Sequence, residues 1–234
     1  NAFQFAANIW GATLTSTQTV FILANFDPLS CTATSAVLGS AGARFIDQNF
    51  PGAPLPNTWY PEALANKLTN SDRVPGEPDI AARFNSNLGQ PGCLDGSPFY
   101  LGLDNNAGTA VDLVTVLLHE FGHGLGFQNF TSGSSGAFFN GTPSVWDHFL
   151  QDNTSSKLWV AMTNAERQAS ALNARNVAWT GANVSTALPG VLSLGTPRLN
   201  ISGLTAGSAA GDYLVGAASF GPPLGAVPVV GQLM

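Results

Sequence analysis

The stretch His119-Glu120-Phe121-Gly122-His123 contains two imidazoles and a carboxylate within a few residues. In an α-helix, residues four apart lie on one face, so the side chains of His119 and His123 would point the same way. Neutral imidazoles are common ligands of Zn²⁺. A glutamate beside the first ligand can take a proton from a water that the metal activates. We therefore expect metal-assisted hydrolysis, of peptide bonds in the first place, with His119 and His123 as zinc ligands and Glu120 as general base.

The residues around the motif predict a central, buried helix. Thr109 and Asp112 fit a capping box, which would begin the helix at Thr109. Three glycines at positions 122, 124 and 126 disfavour a longer helix, so we expect it to end between His123 and Gly126. Apolar residues recur every three or four positions, as expected for a face in the core; they are Val111, Val114, Leu118, Phe121 and Leu125.

The alternative is that both histidines are ordinary core residues and Glu120 makes a structural hydrogen bond. Burial of a glutamate without a partner costs free energy, and a buried His-Glu-His group without a metal needs several donors around it. We therefore favour the metal site.

Composition indicates a secreted globular protein. The 234 residues are 44% hydrophobic and only 9% charged, and this length is enough for one domain with a sizeable core. A net charge of -6 without a basic cluster argues against nucleic-acid binding. No apolar run is long enough to cross a membrane, and no signal peptide is visible. We expect a mature or trimmed form, and whether a propeptide was removed stays open.

Cys31 and Cys93 are the two cysteines, and neither belongs to a C-x-x-C motif. A disulfide between them, closing a long loop in an oxidising compartment, is therefore favoured over two buried thiols. Five N-x-[ST] sequons matter only if the source organism glycosylates its proteins; they begin at Asn129, Asn140, Asn153, Asn183 and Asn200.

Strand patterns dominate the first half of the chain, with helices between them, so the predicted fold class is α+β. Predicted strands cover residues 19–25, 35–42, 80–84 and 99–103, and predicted helices cover 3–14 and 62–68. A second capping box at Thr163 and Glu166 predicts a helix to about residue 173. Residues 131–142 are rich in Gly and Ser, which predicts a mobile loop.

The longer stretch from His119 to Phe127, H-E-F-G-H-G-L-G-F, resembles the metzincin clan of zinc endopeptidases. In that clan the motif continues as H-E-x-x-H-x-x-G-x-x-H/D, and the glycine turns the chain toward a third ligand. Gly126 matches this glycine. Asn129 stands at the third-ligand position, where its amide oxygen is a weak, neutral substitute, so we do not expect it to bind zinc.

This departure makes the chain similar to bacterial secreted metalloproteases related to leishmanolysin, in which the third histidine follows a long insertion and precedes a methionine turn. Trp10-Gly11 and residues 26–31 and 37–42 also resemble that family. The resemblance implies a zincin-like domain over 1–217, with a twisted mixed sheet and a buried helix carrying the motif. Residues 218–234 would then form a tail that begins a protease-associated insertion, with the final ligand and methionine turn outside this chain.

Within the chain, Asp147 is the first candidate for the third ligand, because it would complete a set of two histidines and a carboxylate. His148 is the alternative and would complete three histidines. Equally, Asp147 could cap a helix while His148 lies on the surface. Met162 could form a methionine turn, although a single Met is more often a core residue.

For a protease, we expect protein or peptide substrates. The predicted strand 99–103 could pair with an extended substrate. Phe138, Phe139 and Trp146 could line subsites, or simply pack. Three alternatives remain open: a non-catalytic zinc-stabilised binding or adhesion module, a hydrolase of non-peptide amides or esters, and an inactive fragment of a protease.

Overall fold

The structure, a computed structural model, describes residues 1–173 and 176–187 and the backbone of residues 200–201. It contains helices and small sheets of mixed strand direction, so the expected α+β class is confirmed. The helices are α1 (Ala2–Thr13), α2 (Glu62–Thr69), α3 (Leu113–Leu125), α4 (Asn164–Leu172) and α5 (Ala182–Ala187). Short 3₁₀ helices cover Phe139–Gly141, Trp146–Phe149 and Trp159–Ala161. The proposed tail at 218–234 lies outside the described residues.

The strands are short, and most pair in twos or threes. They are β1 (Ile22–Asp27), β2 (Cys31–Thr32), β3 (Ser35–Ala36), β4 (Gly39–Ala43), β5 (Ile46–Asp47), β6 (Tyr60–Pro61), β7 (Ile80–Asn85), β8 (Phe99–Tyr100), β9 (Val111–Asp112), β10 (Leu150–Asp152), β11 (Val177–Trp179) and β12 (Asn200–Ile201). The predicted strand at 35–42 is thus divided into β3 and β4, and the strand predicted at 99–103 is wrong beyond its first two residues.

The sheet beside the motif helix has the strand order β1-β7-β4. The central strand β7 runs parallel to β1, with Ile80 opposite Ile22, and antiparallel to β4, with Ala82 opposite Ala41. Alternate residues of β7 point to opposite faces, and Ile80, Ala82 and Phe84 are all fully buried. One face of this sheet therefore forms the base of a core.

Helix α3 packs on that sheet through β4 and β7, and α1 packs against α3. The predicted apolar face is only partly right, since Leu113 and Leu117 are more deeply buried than Leu118. The shared core contains Ala2, Ala6, Ala82, Phe84, Leu113, Val114, Leu117 and Phe121. Burial of this helix fixes the position of the H-E-x-x-H motif.

The N-terminus of α3 differs from the prediction. Val111 and Asp112 form β9, which pairs in parallel with β8, so the helix begins only at Leu113. Its N-cap is Asp112, whose carboxylate accepts a hydrogen bond from the backbone N–H of Thr115 at 2.7 Å. The capping box at Thr109 was therefore wrong, because strand pairing occupies the residues that it would place in the helix.

The other helical predictions agree with the structure. α1 and α2 match the predicted ranges to within a residue or two, and Gly126 ends α3 with a φ of 126°. Helix α4 begins with the complete capping box of Thr163 and Glu166. Met162 lies in a second hydrophobic core, formed by aromatic and aliphatic residues of the C-terminal half. No helix in the described ranges is both long and apolar enough to cross a membrane.

The predicted disulfide between Cys31 and Cys93 is confirmed. It joins β2 to the turn-rich segment after β7, and its two Cα atoms are 5.0 Å apart. Cys93 is buried, and its neighbour Asn85 at the end of β7 donates a hydrogen bond to the carbonyl of Val37 at 2.9 Å. The Cys31–Cys93 disulfide therefore closes a loop of the chain that contains β4 and β7, two strands of the main sheet.

Candidate metal centre

Helix α3 brings His119 and His123 together on one face. Their Nε2 atoms are 3.2 Å apart, and their rings are nearly perpendicular, with centroids 4.9 Å apart and planes at 78°. His123 is buried, and His119 is partly buried. The two Nε2 atoms thus lie within hydrogen-bonding distance of each other in the C-terminal half of the helix.

The tautomer of His123 follows from its neighbour Phe127. The Nδ1 atom of His123 lies 3.0 Å from the backbone carbonyl oxygen of Phe127. A carbonyl can only accept a hydrogen bond, so Nδ1 carries the proton and Nε2 presents its lone pair toward His119. Gly126 makes this contact possible, since its positive φ turns the chain back over the end of α3.

Burial favours the neutral form of both rings. It lowers the pKa of His119, and burial together with the neighbouring His119 lowers the pKa of His123 to about 4. The neutral imidazole is the form that can bind a metal ion. The environment of the pair therefore favours its metal-binding state.

Glu120 lies beside the pair and faces strand β4. Its side chain is 8% exposed. A Cβ atom added to Gly39 would lie only 3.1 Å from the Cγ of Glu120, so Gly39 provides space for the Glu120 side chain. Gly39 is not among the site residues predicted from the sequence. The available signal was a glycine inside a strand pattern, which often marks a close approach by another group.

The structure places Asp147 in a separate buried network. Its Oδ1 accepts a hydrogen bond from the Thr131 hydroxyl at 2.8 Å. Its Oδ2 accepts two from Ser144, from the backbone N–H at 2.7 Å and the hydroxyl at 2.8 Å. Burial raises the pKa of Asp147, and these hydrogen bonds oppose that rise. Asp147 thus ties together the two ends of the segment between Thr131 and Ser144.

The remaining ligand candidates also have other partners. His148 Nε2 lies 3.0 Å from the Thr58 hydroxyl, and the amide oxygen of Asn129 accepts a hydrogen bond from the backbone N–H of Thr131 at 3.3 Å. Across the described part of the chain, no three His, Cys, Asp or Glu side chains are grouped closely enough to hold a metal ion. The structure therefore brings together two of the predicted ligands, and neither Asp147 nor His148 joins them.

The aromatic residues considered for subsites have different environments. Trp146 is buried in the second core, as packing would require. The guanidinium of Arg167 lies over the ring of Phe138, with its Cζ atom 3.6 Å from the ring centroid. Phe139 is 45% exposed and contacts Trp59 edge to face. Of the three, Phe139 is the one most accessible to a ligand.

Comparison of the chain with models of protein families, with curated proteins and with solved structures finds no match in any of the three.

Proposed function

We propose that this chain is the catalytic part of a secreted, zinc-dependent endopeptidase of the metzincin type, similar to leishmanolysin-like enzymes. The observation that carries the proposal is the 3.2 Å between the Nε2 atoms of His119 and His123. Two nitrogen ligands at about 2.0–2.1 Å from a tetrahedral zinc ion are roughly 3.3 Å apart. The pair has the spacing that such an ion requires.

The residues present fit zinc at two of its positions. His119 and His123 would hold the ion through Nε2, with the proton on Nδ1 of His123 fixed by the Phe127 carbonyl. When bound, zinc would polarise both a water molecule and the carbonyl of the bond to be cleaved. We expect the third protein ligand outside the described residues, as the family resemblance implies.

Glu120 would move the protons of the reaction. It follows His119 directly on α3, and its carboxylate is largely shielded from solvent. A carboxylate placed there takes a proton from the attacking water and passes it to the departing amine. Shielding from bulk water strengthens its interaction with developing charge.

The edge of β4 is the best place for an extended substrate. Among the described strands, β4 pairs only with β7, so its other edge is free. Gly39 on β4 also lies against the side chain of Glu120. A peptide that adds to this edge as a further strand would lie beside the catalytic carboxylate. The two-residue strand β8, in contrast, offers too short an edge for the pairing with an extended substrate that was predicted for residues 99–103.

The test is Glu120→Gln in the full chain, assayed for cleavage of an unfolded protein and for bound zinc. We expect at least a 100-fold loss of cleavage, the usual scale for a general base, with zinc content unchanged. His119→Ala is the control and should lose both zinc and activity. A Glu120→Gln variant that still cleaves would remove the general-base role.

The same measurements separate the alternatives. Zinc bound by the wild-type chain without any cleavage would favour a binding module or an inactive fragment. Cleavage of esters but not of proteins would favour a different hydrolase. A wild-type chain that takes up no zinc would contradict the proposal as a whole.

A further inference from the structure

Glu62, the first residue of α2, is a buried acid whose carboxylate has no hydrogen-bond partner in the part of the chain that the structure describes. Its side chain is 2% exposed, and neither carboxylate oxygen has a partner among the described residues. Burial of an isolated carboxylate is costly, so such a group is normally protonated, hydrated or paired with a cation. Tyr60 and Pro61 of β6 precede it and are also buried.

The groups that act electrostatically on Glu62 are mostly acidic. They are Asp79, Asp72, Glu77 and Arg44. Arg44 is the cation among them, and its guanidinium is already 3.0 Å from the carboxylate of Glu77. Nearby, Arg73 is paired with Asp47. The cluster therefore keeps an excess of negative charge around the buried carboxylate.

Asp79 is the strongest of these neighbours and is itself 3% exposed. It lies against the same face of α2 as Glu62, because Asn66, one helical turn after Glu62, contacts it. Its two oxygens accept one hydrogen bond each, from the backbone N–H of Phe21 and from the side-chain amide of Asn66, both at 2.7 Å. These bonds fix its orientation, and each oxygen keeps a second lone pair. Burial, and then Asp79, raise the pKa of Glu62 to about 7, and burial raises the pKa of Asp79.

We propose that Glu62 and Asp79 bind a hard divalent cation of the calcium class. Carboxylate oxygens are its preferred ligands, and an unpartnered buried carboxylate supplies an open position. Since no third acidic or histidine ligand is grouped with them in the described ranges, water and backbone carbonyls would complete the shell. We expect weak binding, with a Kd of roughly 0.1–1 mM, as in extracellular modules.

The site would connect two elements of the main fold. Glu62 begins α2, and Asp79 immediately precedes β7, the central strand of the sheet. A cation shared by them would therefore stabilise the folded chain, because it binds the native arrangement and not the unfolded one. This inference is independent of the proposed peptidase, since the histidine pair is not part of this site.

The test is thermal unfolding of the full chain at about pH 8, where both carboxyls tend to ionise. Calcium is first removed by dialysis against calcium-free buffer, and the chain is then saturated with zinc. Its unfolding is compared with and without roughly 10 mM CaCl₂. We expect calcium to raise the Tm by about 3–6 °C. Glu62→Gln should abolish the shift. Glu77→Gln is the matched control, because it removes an exposed charge of the same cluster and should keep most of the shift.

A wild-type Tm that does not respond to calcium, or an equal shift in Glu62→Gln, would overturn the proposal. If Glu62→Gln does not fold, terbium luminescence of the wild-type chain decides the question. Tb³⁺ replaces Ca²⁺ at oxygen sites, and Tyr60 lies two residues away to sensitise its emission. Emission that calcium displaces supports the site, and absence of such emission contradicts it.

Discussion

At the scale of single residues, one glycine shapes the candidate centre. A Cβ on Gly39 would lie 3.1 Å from each of three atoms: the Arg83 carbonyl oxygen, the Glu120 Cγ and the Phe84 Cδ1. We expect Gly39→Ala to destabilise the fold by about 1–3 kcal/mol. Because it displaces Glu120, it should also reduce the proposed peptidase activity. Urea unfolding and kcat for the same preparation measure both effects.

Gly42 on the same strand is the control. An added Cβ there would approach only the amide oxygen of Gln128, at 3.1 Å, and this is the end of a flexible side chain. We expect Gly42→Ala to cost less than about 1 kcal/mol. Equal losses of stability and kcat in Gly39→Ala and Gly42→Ala would show that the contact between Gly39 and Glu120 contributes to neither.

At the scale of elements, the glycines of α3 have a packing role that their helix propensity does not reveal. From the sequence alone, these glycines predict the end of the helix. In the structure, Gly122 and Gly124 both lie within α3. A Cβ on Gly124 would collide with the side chain of Ile80 in β7. Gly124 therefore allows the helix to lie close to the sheet.

We expect Gly124→Ala to destabilise the protein by about 3 kcal/mol, since Ile80 is fully buried and has no space to move. Gly122→Ala is the matched variant. Its Cβ would meet Trp10 at 3.5 Å, an ordinary contact, so it should be neutral or stabilise by up to about 1 kcal/mol through helix propensity. Chemical denaturation of both variants measures this difference. A loss of unfolding free energy well below about 3 kcal/mol for Gly124→Ala would disprove close packing there.

At the scale of the whole molecule, the disulfide constrains the unfolded chain. Cys31 and Cys93 are 62 residues apart, and closing a loop of this length removes about 4 kcal/mol of unfolded-state entropy. We expect the double variant Cys31→Ser/Cys93→Ser to be less stable by up to that amount in urea unfolding. Reductant should destabilise the wild-type chain and leave the double variant unaffected. A wild-type midpoint that does not change on reduction would contradict this.

Residues close in sequence determined much of the candidate site. The spacing of His119 and His123 predicted that they meet, because helical periodicity is a property of neighbouring residues. The capping box of Thr163 and Glu166 and the end of α3 at Gly126 were predictable for the same reason. With two cysteines in the chain, the disulfide had one possible pairing.

Only the tertiary structure decided the rest. The start of α3 depended on pairing between β8 and β9, and the position of β4 at the edge of its sheet, among the described strands, depended on the order β1-β7-β4. Asp147 found its partners in Thr131 and Ser144. Folding buried the Glu62 carboxylate with no hydrogen-bond partner among residues 1–173 and 176–187. The reason is physical: helix periodicity and caps involve residues within a turn or two, whereas strand partners and burial arise from contacts between distant segments.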